Sequence, residues 1–407
     1  MSTNRDLTDA RNPVASYSNG RRLLTIVHVI ETLSVEGGGA DRVTFELARA
    51  QAERGHKVRI LCFNYCNRPQ ILESPALEVI RLNDPGPIRR FFGLSREFTK
   101  ALSAAISDCD ILHVHGVWRY FQTQCRRVSA ENGVPYVYQP HGSFERYRMR
   151  HKSLKKKIWL ETFERKNVRS AASVIVESER DRRGLRGVFP ECRTDILPNS
   201  GKISEKRLSS AEFSSRYPGL KAGGYYLFLG RIDFHKGLDI LVRAFSRLDP
   251  ETRPSLAIVG PNHNNTLTSI NDMVRQLGLN DVYFFDMTNG DKEKATLLSN
   301  SRCFILPSYS ENFGLTVLEA MLAETPVIVS RETAWEHLEQ KRAGFVIQPT
   351  EDDLFAAIQR YEALSSSARI RIVAQAKEIA MEYSWEAIVE RADEIYSAAI
   401  DQRTRLS

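Results

Sequence analysis

Short runs of apolar residues alternate along this chain with stretches of helical periodicity, and no other feature narrows the possible folds as far. In the first half the runs are Leu24–Ile30, Val58–Phe63, Leu77–Leu82, Ile111–Val114, Tyr136–Gln139 and Ser173–Val176. Several are apolar at successive positions. A strand with one wet face would alternate, so these runs read as parallel strands covered on both sides. Between the first two lies the helical stretch Ala40–Arg54, stopped by Gly55, a residue suited to the turn that ends a helix. The second half repeats the arrangement, with runs at Tyr225–Leu229, Leu256–Val259, Val282–Phe285, Cys303–Leu306, Val327–Ser330 and Phe345–Ile347. Leu238–Leu248, Thr316–Ala323 and Asp352–Leu364 are its helical stretches. The pattern predicts two doubly wound, Rossmann-like α/β domains facing across a cleft, with ligands held outside the carboxyl ends of the strands.

A chain of 407 residues also exceeds one ordinary core. Residues 1–20 are polar, lack the order of a signal peptide, and are expected to form a disordered leader. The first domain is expected over 21–200 and the second over 201–385. The seam falls at Leu197–Gly224, which opens on Pro198-Asn199-Ser200-Gly201 and closes on Gly223-Gly224. Beyond the last strand the chain reads as helix, and 386–407 is expected to pack back on the first domain.

Composition removes several function classes. The longest apolar run, Leu23–Ile30, is broken by Thr25 and His28, well short of the roughly 18 residues that span a bilayer. Six cysteines are scattered, and the close pair Cys62 and Cys66 has no second pair to complete a zinc site. A cytoplasmic protein with no metal site is the expectation. The net charge of +7 is concentrated, with ten Lys or Arg against two acids between Arg146 and Arg169. Tyr147, Leu154, Ile158, Trp159, Leu160 and Phe163 interleave with them. Such a segment suits an anionic membrane surface, and equally a helix whose basic face is only solvated. No nucleic-acid module accompanies the charge, so nucleic acid is not an expected partner.

Four segments carry the chemistry. In Ser310-Glu311-Asn312-Phe313-Gly314-Leu315-Thr316-Val317-Leu318-Glu319 a strand ends, a loop carries Glu311, and a helix begins near Gly314. Unpaired backbone N–H groups at such a helix start suit a diphosphate or sugar hydroxyls. Glu311 can reach a sugar from the loop, and Glu319, more than one turn into the helix, can accept hydrogen bonds from ribose. Gly230-Arg231-Ile232-Asp233-Phe234-His235-Lys236-Gly237 joins another strand to a helix. Arg231 and Lys236 can both point at a pyrophosphate, one as a planar fork and one as a point charge. His235 reads as structural or exposed rather than catalytic. Glu36-Gly37-Gly38-Gly39-Ala40-Asp41-Arg42 opens the first helix, and Gly38 and Gly39 can admit a donor phosphate or an acceptor. It is not the dinucleotide fingerprint, because Arg42 stands at the last glycine position. Gln139-Pro140-His141-Gly142-Ser143 places His141 just past a strand end, where it can meet a sugar hydroxyl. His113 and His115 leave the neighbouring strand similarly, so His115 is a second candidate to meet the sugar; both lie on one face, so at least one is expected to be packed inside.

Together these segments resemble glycosyltransferase family 4, retaining enzymes of the GT-B fold, from about Leu24 to Tyr396. The E-x7-E stretch from Glu311 to Glu319 and the stretch from Gly230 to Gly237 are the most specific parts. The resemblance implies that Arg231 and Lys236 hold the diphosphate of a nucleotide-sugar donor and Glu311 contacts its sugar. The backbone of Asn312, Phe313, Gly314 and Leu315 would meet the sugar hydroxyls and phosphate, Glu319 the ribose, and His141 the sugar near the reacting carbon. Glu311 and His141 are thus the catalytic candidates. It further implies retention of configuration and no cofactor or metal. The basic segment from Arg146 to Arg169 adds the expectation of a glycan or lipid-linked acceptor, for a cytoplasmic enzyme of polysaccharide or glycolipid synthesis, peripheral on the membrane's inner face. Phe285 is followed by Asp286-Met287, where the family often carries glycine before its base-contacting loop, and this leaves the base unassigned. Asp41 replaces the commoner glutamate. The rival readings are a nucleotide-sugar 2-epimerase of the same fold and a non-catalytic nucleotide-sugar-binding partner.

Overall fold

The computed structural model describes residues 17–18, 21–34, 39–64, 73–83, 96–144, 149, 153–263, 265–286, 288 and 290–404. Two parallel sheets organise them. The first has seven strands in the spatial order Glu78–Asn83, Lys57–Asn64, Thr25–Val29, Ile111–His115, Tyr136–Gln139, Ser173–Val176 and Thr194–Ile196. The second has six, in the order Val282–Phe285, Ser255–Val259, Tyr225–Leu229, Cys303–Leu306, Val327–Ser330 and Phe345–Ile347. Both are Rossmann-like, and the continuous apolar runs are the reason. Ile26, Val27 and Val29 in one sheet, and Leu227 and Phe228 in the other, are fully buried although they point to opposite faces. Helix Gly39–Glu53 covers the first sheet with Val43, Phe45, Leu47 and Ala48, and ends at Gly55 as expected.

Three features depart from the sequence reading. Thr194–Ile196 is a strand of only three half-buried residues. Tyr17–Ser18 pairs antiparallel with Arg21–Arg22, so part of the segment expected to be a disordered leader has regular backbone, and the rest of 1–20 lies outside the described residues. The chain also divides into compact units differently from the expected seam. One unit comprises 1–140, 152–175 and 392–407; the other comprises 141–151 and 176–391. Side-chain packing accounts for that division. Within the second unit, Gly201 sits against Leu318, Arg180 pairs with Glu332 at 2.6 Å, and Arg183 pairs with Glu336 at 2.8 Å. The expected seam therefore lies inside this unit, and its polar stretch contains the helix Ser210–Arg216.

A buried polar chain runs through the first unit. His28 stands opposite His113 in the sheet register. His28 Nδ1 lies 2.9 Å from His115 Nε2, and His28 Nε2 lies 2.7 Å from Gln51 Oε1. The Gln51 amide N–H donates to the Tyr396 hydroxyl at 3.2 Å, and that hydroxyl is 2.7 Å from His113 Nδ1. All five residues are fully buried. Donor accounting gives the chain one direction: His115 donates to His28, His28 to Gln51, Gln51 to Tyr396, and Tyr396 to His113. Inside a low-dielectric core, pairing of this kind reduces the cost of burying polar groups. Tyr396 lies on helix Trp385–Thr404, whose Asp393 also meets His56 Nε2 at 3.1 Å.

Candidate functional site

The second unit gathers most of the expected site residues. Strand Tyr225–Leu229 runs out at Gly230, and a short 3-10 turn, Phe234–Lys236, ends at Gly237. Gly237 has φ +69°, and a Cβ there would lie 2.2 Å from the Pro307 carbonyl oxygen. Only glycine lets this turn rest on the end of the neighbouring strand. Lys236 is thereby brought to Glu311, and their side chains form an ion pair with 13% and 14% of their surface exposed. Arg231 is exposed and makes no ion pair among the described residues. His235 is half-buried. Its Nδ1 is 2.8 Å from Asp233, which also receives His263 at 2.7 Å, and its carbonyl accepts the Tyr309 N–H at 2.8 Å. Burial lowers the His235 pKa.

The Glu311 loop is pinned from below. Phe313 is buried among Trp335 and Tyr383, at centroid distances of 5.1 and 5.8 Å, and Trp335 Nε1–H donates to the Gly314 carbonyl at 3.3 Å. The Phe313 side chain is thus a core anchor, which leaves its backbone for a ligand. Helix Leu315–Leu322 starts where expected, capped by Gly314, and its first N–H groups with their partial positive charge form an anion-favouring end. Glu319, in the second turn, pairs with Lys294 at 2.5 Å. Lys294 comes from helix Asp291–Ser299, and only 10% of its side chain is exposed. No sequence signal had marked this lysine.

His141 joins the same unit. It follows the Tyr136–Gln139 strand with φ +51°, and Gly142 continues at φ +67°. A Cβ on Gly142 would lie 2.4 Å from Asn312 Oδ1, so the turn is seated directly on the Glu311 loop. Asn312 Oδ1 is itself buried with no hydrogen-bond partner among the described residues. His141 Nδ1 lies 2.9 Å from Glu177 Oε1, and the Glu177 side chain has no exposed surface. Glu177, immediately after the Ser173–Val176 strand, was also unmarked in the sequence.

The remaining expected residues lie elsewhere. Gly38 is outside the described residues. Gly39 opens its helix in the first unit, with nothing within 4 Å of where its Cβ would be. Asp41 accepts from the Thr32 hydroxyl at 2.7 Å and the Ser34 N–H at 2.9 Å, fixing the start of that loop. His113 and His115 are both inside, their rings stacked at 4.0 Å. With His28 they are the one trio of potential metal ligands among the described residues, its nitrogens within 4.8 Å of one another. The polar chain traced above already engages those rings.

In the basic segment, Ser153–Trp159 leads through a π-helical turn, Leu160–Glu164, into Arg165–Ser170. Its apolar residues divide. Leu160 is buried, while the Trp159 and Phe163 rings pack against each other, tilted by 47° with centroids 4.6 Å apart. Leu154 and Ile158 face outward, 71% and 61% exposed, beside the exposed Lys155 and Lys157. Glu164 is buried beneath and accepts from the Tyr138 hydroxyl at 2.8 Å and from Trp118 N and Trp159 Nε1 at 3.1 Å. Burial raises its pKa. Arg146, Tyr147 and Lys152 fall outside the described residues. Among the described residues no helix is long and apolar enough to cross a membrane.

Comparison with known proteins bears on the family and the fold. The family model for glycosyltransferase family 4 matches residues 37–200, and the model for glycosyl transferases group 1 matches residues 219–379. The GDP-mannose:cellobiosyl-diphosphopolyprenol alpha-mannosyltransferase of Xanthomonas campestris is 25% identical over 390 residues, covering 93% of this chain and 97% of the relative. Among solved structures, sucrose-phosphate synthase from Thermosynechococcus elongatus has a TM-score of 0.72 at 22% identity, covering 94% of this chain and all of that one. Anabaena HepE in complex with UDP-glucose has a TM-score of 0.73 at 19% identity, covering 92% and 99%. These likenesses give the fold as GT-B.

Proposed function

This chain belongs to glycosyltransferase family 4, and from that premise we propose that it moves a sugar from a nucleotide-diphosphate sugar to a lipid-linked glycan acceptor with retention of configuration. One observation carries the reading: the cation Lys236 and the carboxylate Glu311, from separate strand–helix loops, meet as an ion pair. Arg231 and Lys236 hold the donor diphosphate. Negative charge grows on the leaving phosphate as the bond from C1 to the phosphate oxygen breaks, and preorganised cations lower the energy of that state. The acceptor hydroxyl attacks C1 from the same face, and its proton passes to the departing phosphate. Glu311 and His141 address the sugar, the backbone from Asn312 to Leu315 its hydroxyls and phosphate, and Glu319 the ribose. Gly38 and Gly39 serve a phosphate or the acceptor. No metal enters this scheme, since the two cations and the helix start supply the neutralising charge.

The lipid-linked acceptor draws support from the Xanthomonas relative, whose name specifies a diphosphopolyprenol substrate. It draws further support from Leu154 and Ile158 beside exposed lysines, a pattern that seats apolar groups in a membrane boundary while the charges meet anionic lipid. The enzyme then works on the cytoplasmic face, in polysaccharide or glycolipid synthesis.

A thermal-shift series with GDP, UDP, GDP-mannose and UDP-glucose tests the donor site, because a ligand held only by the folded chain raises its melting temperature. One diphosphate nucleotide should stand out and name the base. No shift with any of them would count against the donor site, a shift without turnover would favour the non-catalytic partner, and donor isomerised without acceptor would favour the epimerase.

A further inference from the structure

We propose that Glu177 is a positioning residue that holds the His141 imidazole toward the donor sugar, an inference resting on the reading of His141 as a site residue. Three constraints meet at this histidine. Its backbone sits at φ +51°, followed by Gly142 at φ +67°. A left-handed non-glycine residue costs about 1 kcal/mol or more and persists only where its surroundings hold it. Asn312 supplies one restraint, its amide occupying the space that a Gly142 side chain would need. Glu177 supplies the other, at 2.9 Å from Nδ1.

The carboxylate also fixes the chemistry of the ring. A wholly buried carboxylate accepting at Nδ1 requires the proton on that nitrogen. Nε2 is then the nitrogen presented to the ligand, and the ring cannot flip without breaking the pair. The logic is that of a carboxylate orienting a histidine it never replaces in the reaction. Glu177 immediately follows strand Ser173–Val176, and its N–H lies 3.4 Å from the Asp181 carboxylate of the next helix, so the acid is itself anchored. Without Glu177 the turn can still pack on Asn312, but the imidazole is released to rotate.

A double-mutant cycle tests this, with donor KM and kcat measured separately. His141→Ala and Glu177→Ala should each lower kcat by about 10²-fold, as expected when a positioned group is misplaced, with donor KM nearly unchanged. The double variant should be no slower than either single, because Glu177 acts only through His141. Glu177→Gln, which keeps an oxygen for Nδ1–H, should restore kcat to within about fivefold of wild type, a neutral acceptor serving for orientation. Multiplying losses in the double variant, or wild-type turnover in Glu177→Ala, would overturn the proposal. If Glu177→Ala does not fold, Glu177→Gln decides alone: a loss as large as that of His141→Ala counts against it. Wild-type turnover in His141→Ala would instead remove His141 from the site.

Discussion

Lys236 and Glu311, seventy-five residues apart in sequence, form an ion pair that is mostly shielded from water. Gly237 makes the approach possible by lying on Pro307. On the proposed reading, a bound donor diphosphate would give the lysine a second anionic partner and leave the carboxylate to turn to the sugar.

Lys236→Ala should therefore weaken donor binding and turnover together. A charged hydrogen bond contributes about 1.5–3 kcal/mol, so kcat/KM for the donor should fall roughly 10- to 100-fold. Steady-state kinetics over a donor series checks this, and near-normal kcat/KM would take Lys236 out of the site. Glu311→Gln, which keeps shape and a polar partner, should lose turnover while its melting temperature stays close to wild type.

The Lys294–Glu319 pair at 2.5 Å predicts a different balance. Lys294→Met leaves Glu319 enclosed without its cation, and breaking a pair so largely buried should cost about 3 kcal/mol of stability. Lys294→Met combined with Glu319→Leu should recover much of that loss, because no charge then remains unpaired. Urea unfolding of the three proteins measures both effects. Glu319→Gln should weaken nucleotide binding in titration calorimetry if this acid holds the ribose.

The polar chain through Tyr396 predicts an acid limb of stability. Burial is the largest influence on His28 and lowers its pKa to about 4, against a smaller raising influence from Gln51. Its folded value thus lies below the unfolded value of about 6.5, so the unfolded chain takes up the proton first. The stability contribution is complete above pH 6.5 and is lost as pH falls toward 4. Melting temperature against pH should be flatter across this window in His28→Asn than in wild type. Tyr396→Phe removes the link between Gln51 and His113 and should cost about 1–3 kcal/mol, the penalty for stranding buried polar groups.

Outward-facing Leu154 and Ile158 should dip into a membrane. Leu154→Ser with Ile158→Ser should reduce sedimentation with vesicles containing anionic lipid, and neutralising Lys155, Lys156 and Lys157 should do so as well. Binding that survives both changes would mark a merely solvated face.

Much of this was legible in the sequence, for physical reasons. Strands such as Tyr225–Leu229 and Cys303–Leu306 are buried on both faces, and their composition announces it. Thr194–Ile196 is short, half-buried and carries an aspartate, so it leaves no such mark. The π turn at Leu160–Glu164 was likewise invisible, since the apolar residues around it still recur near helical spacing. Glu311 and Lys236 announced themselves because each stands in a strand–loop–helix junction with a glycine close by, and Glu319 because it falls eight residues after Glu311 in the helix that follows. Glu177 and Lys294 did not, because what makes them notable is a partner 36 or 25 residues away in sequence (177 − 141 and 319 − 294). The His28–His113 pairing depends on strand register, and the His113 ring meets Tyr396 from a helix 283 residues further along the chain.

The most direct measurement is a product analysis with purified protein, nucleotide-sugar donors and a lipid-linked glycan, following diphosphate release and the anomeric configuration of the new linkage by NMR. Release of nucleoside diphosphate that requires the acceptor, gives a linkage with the donor's configuration, and is strongly reduced in Lys236→Ala and Glu311→Gln is the predicted result. An inverted linkage, or release at wild-type rate in those variants, would contradict the account.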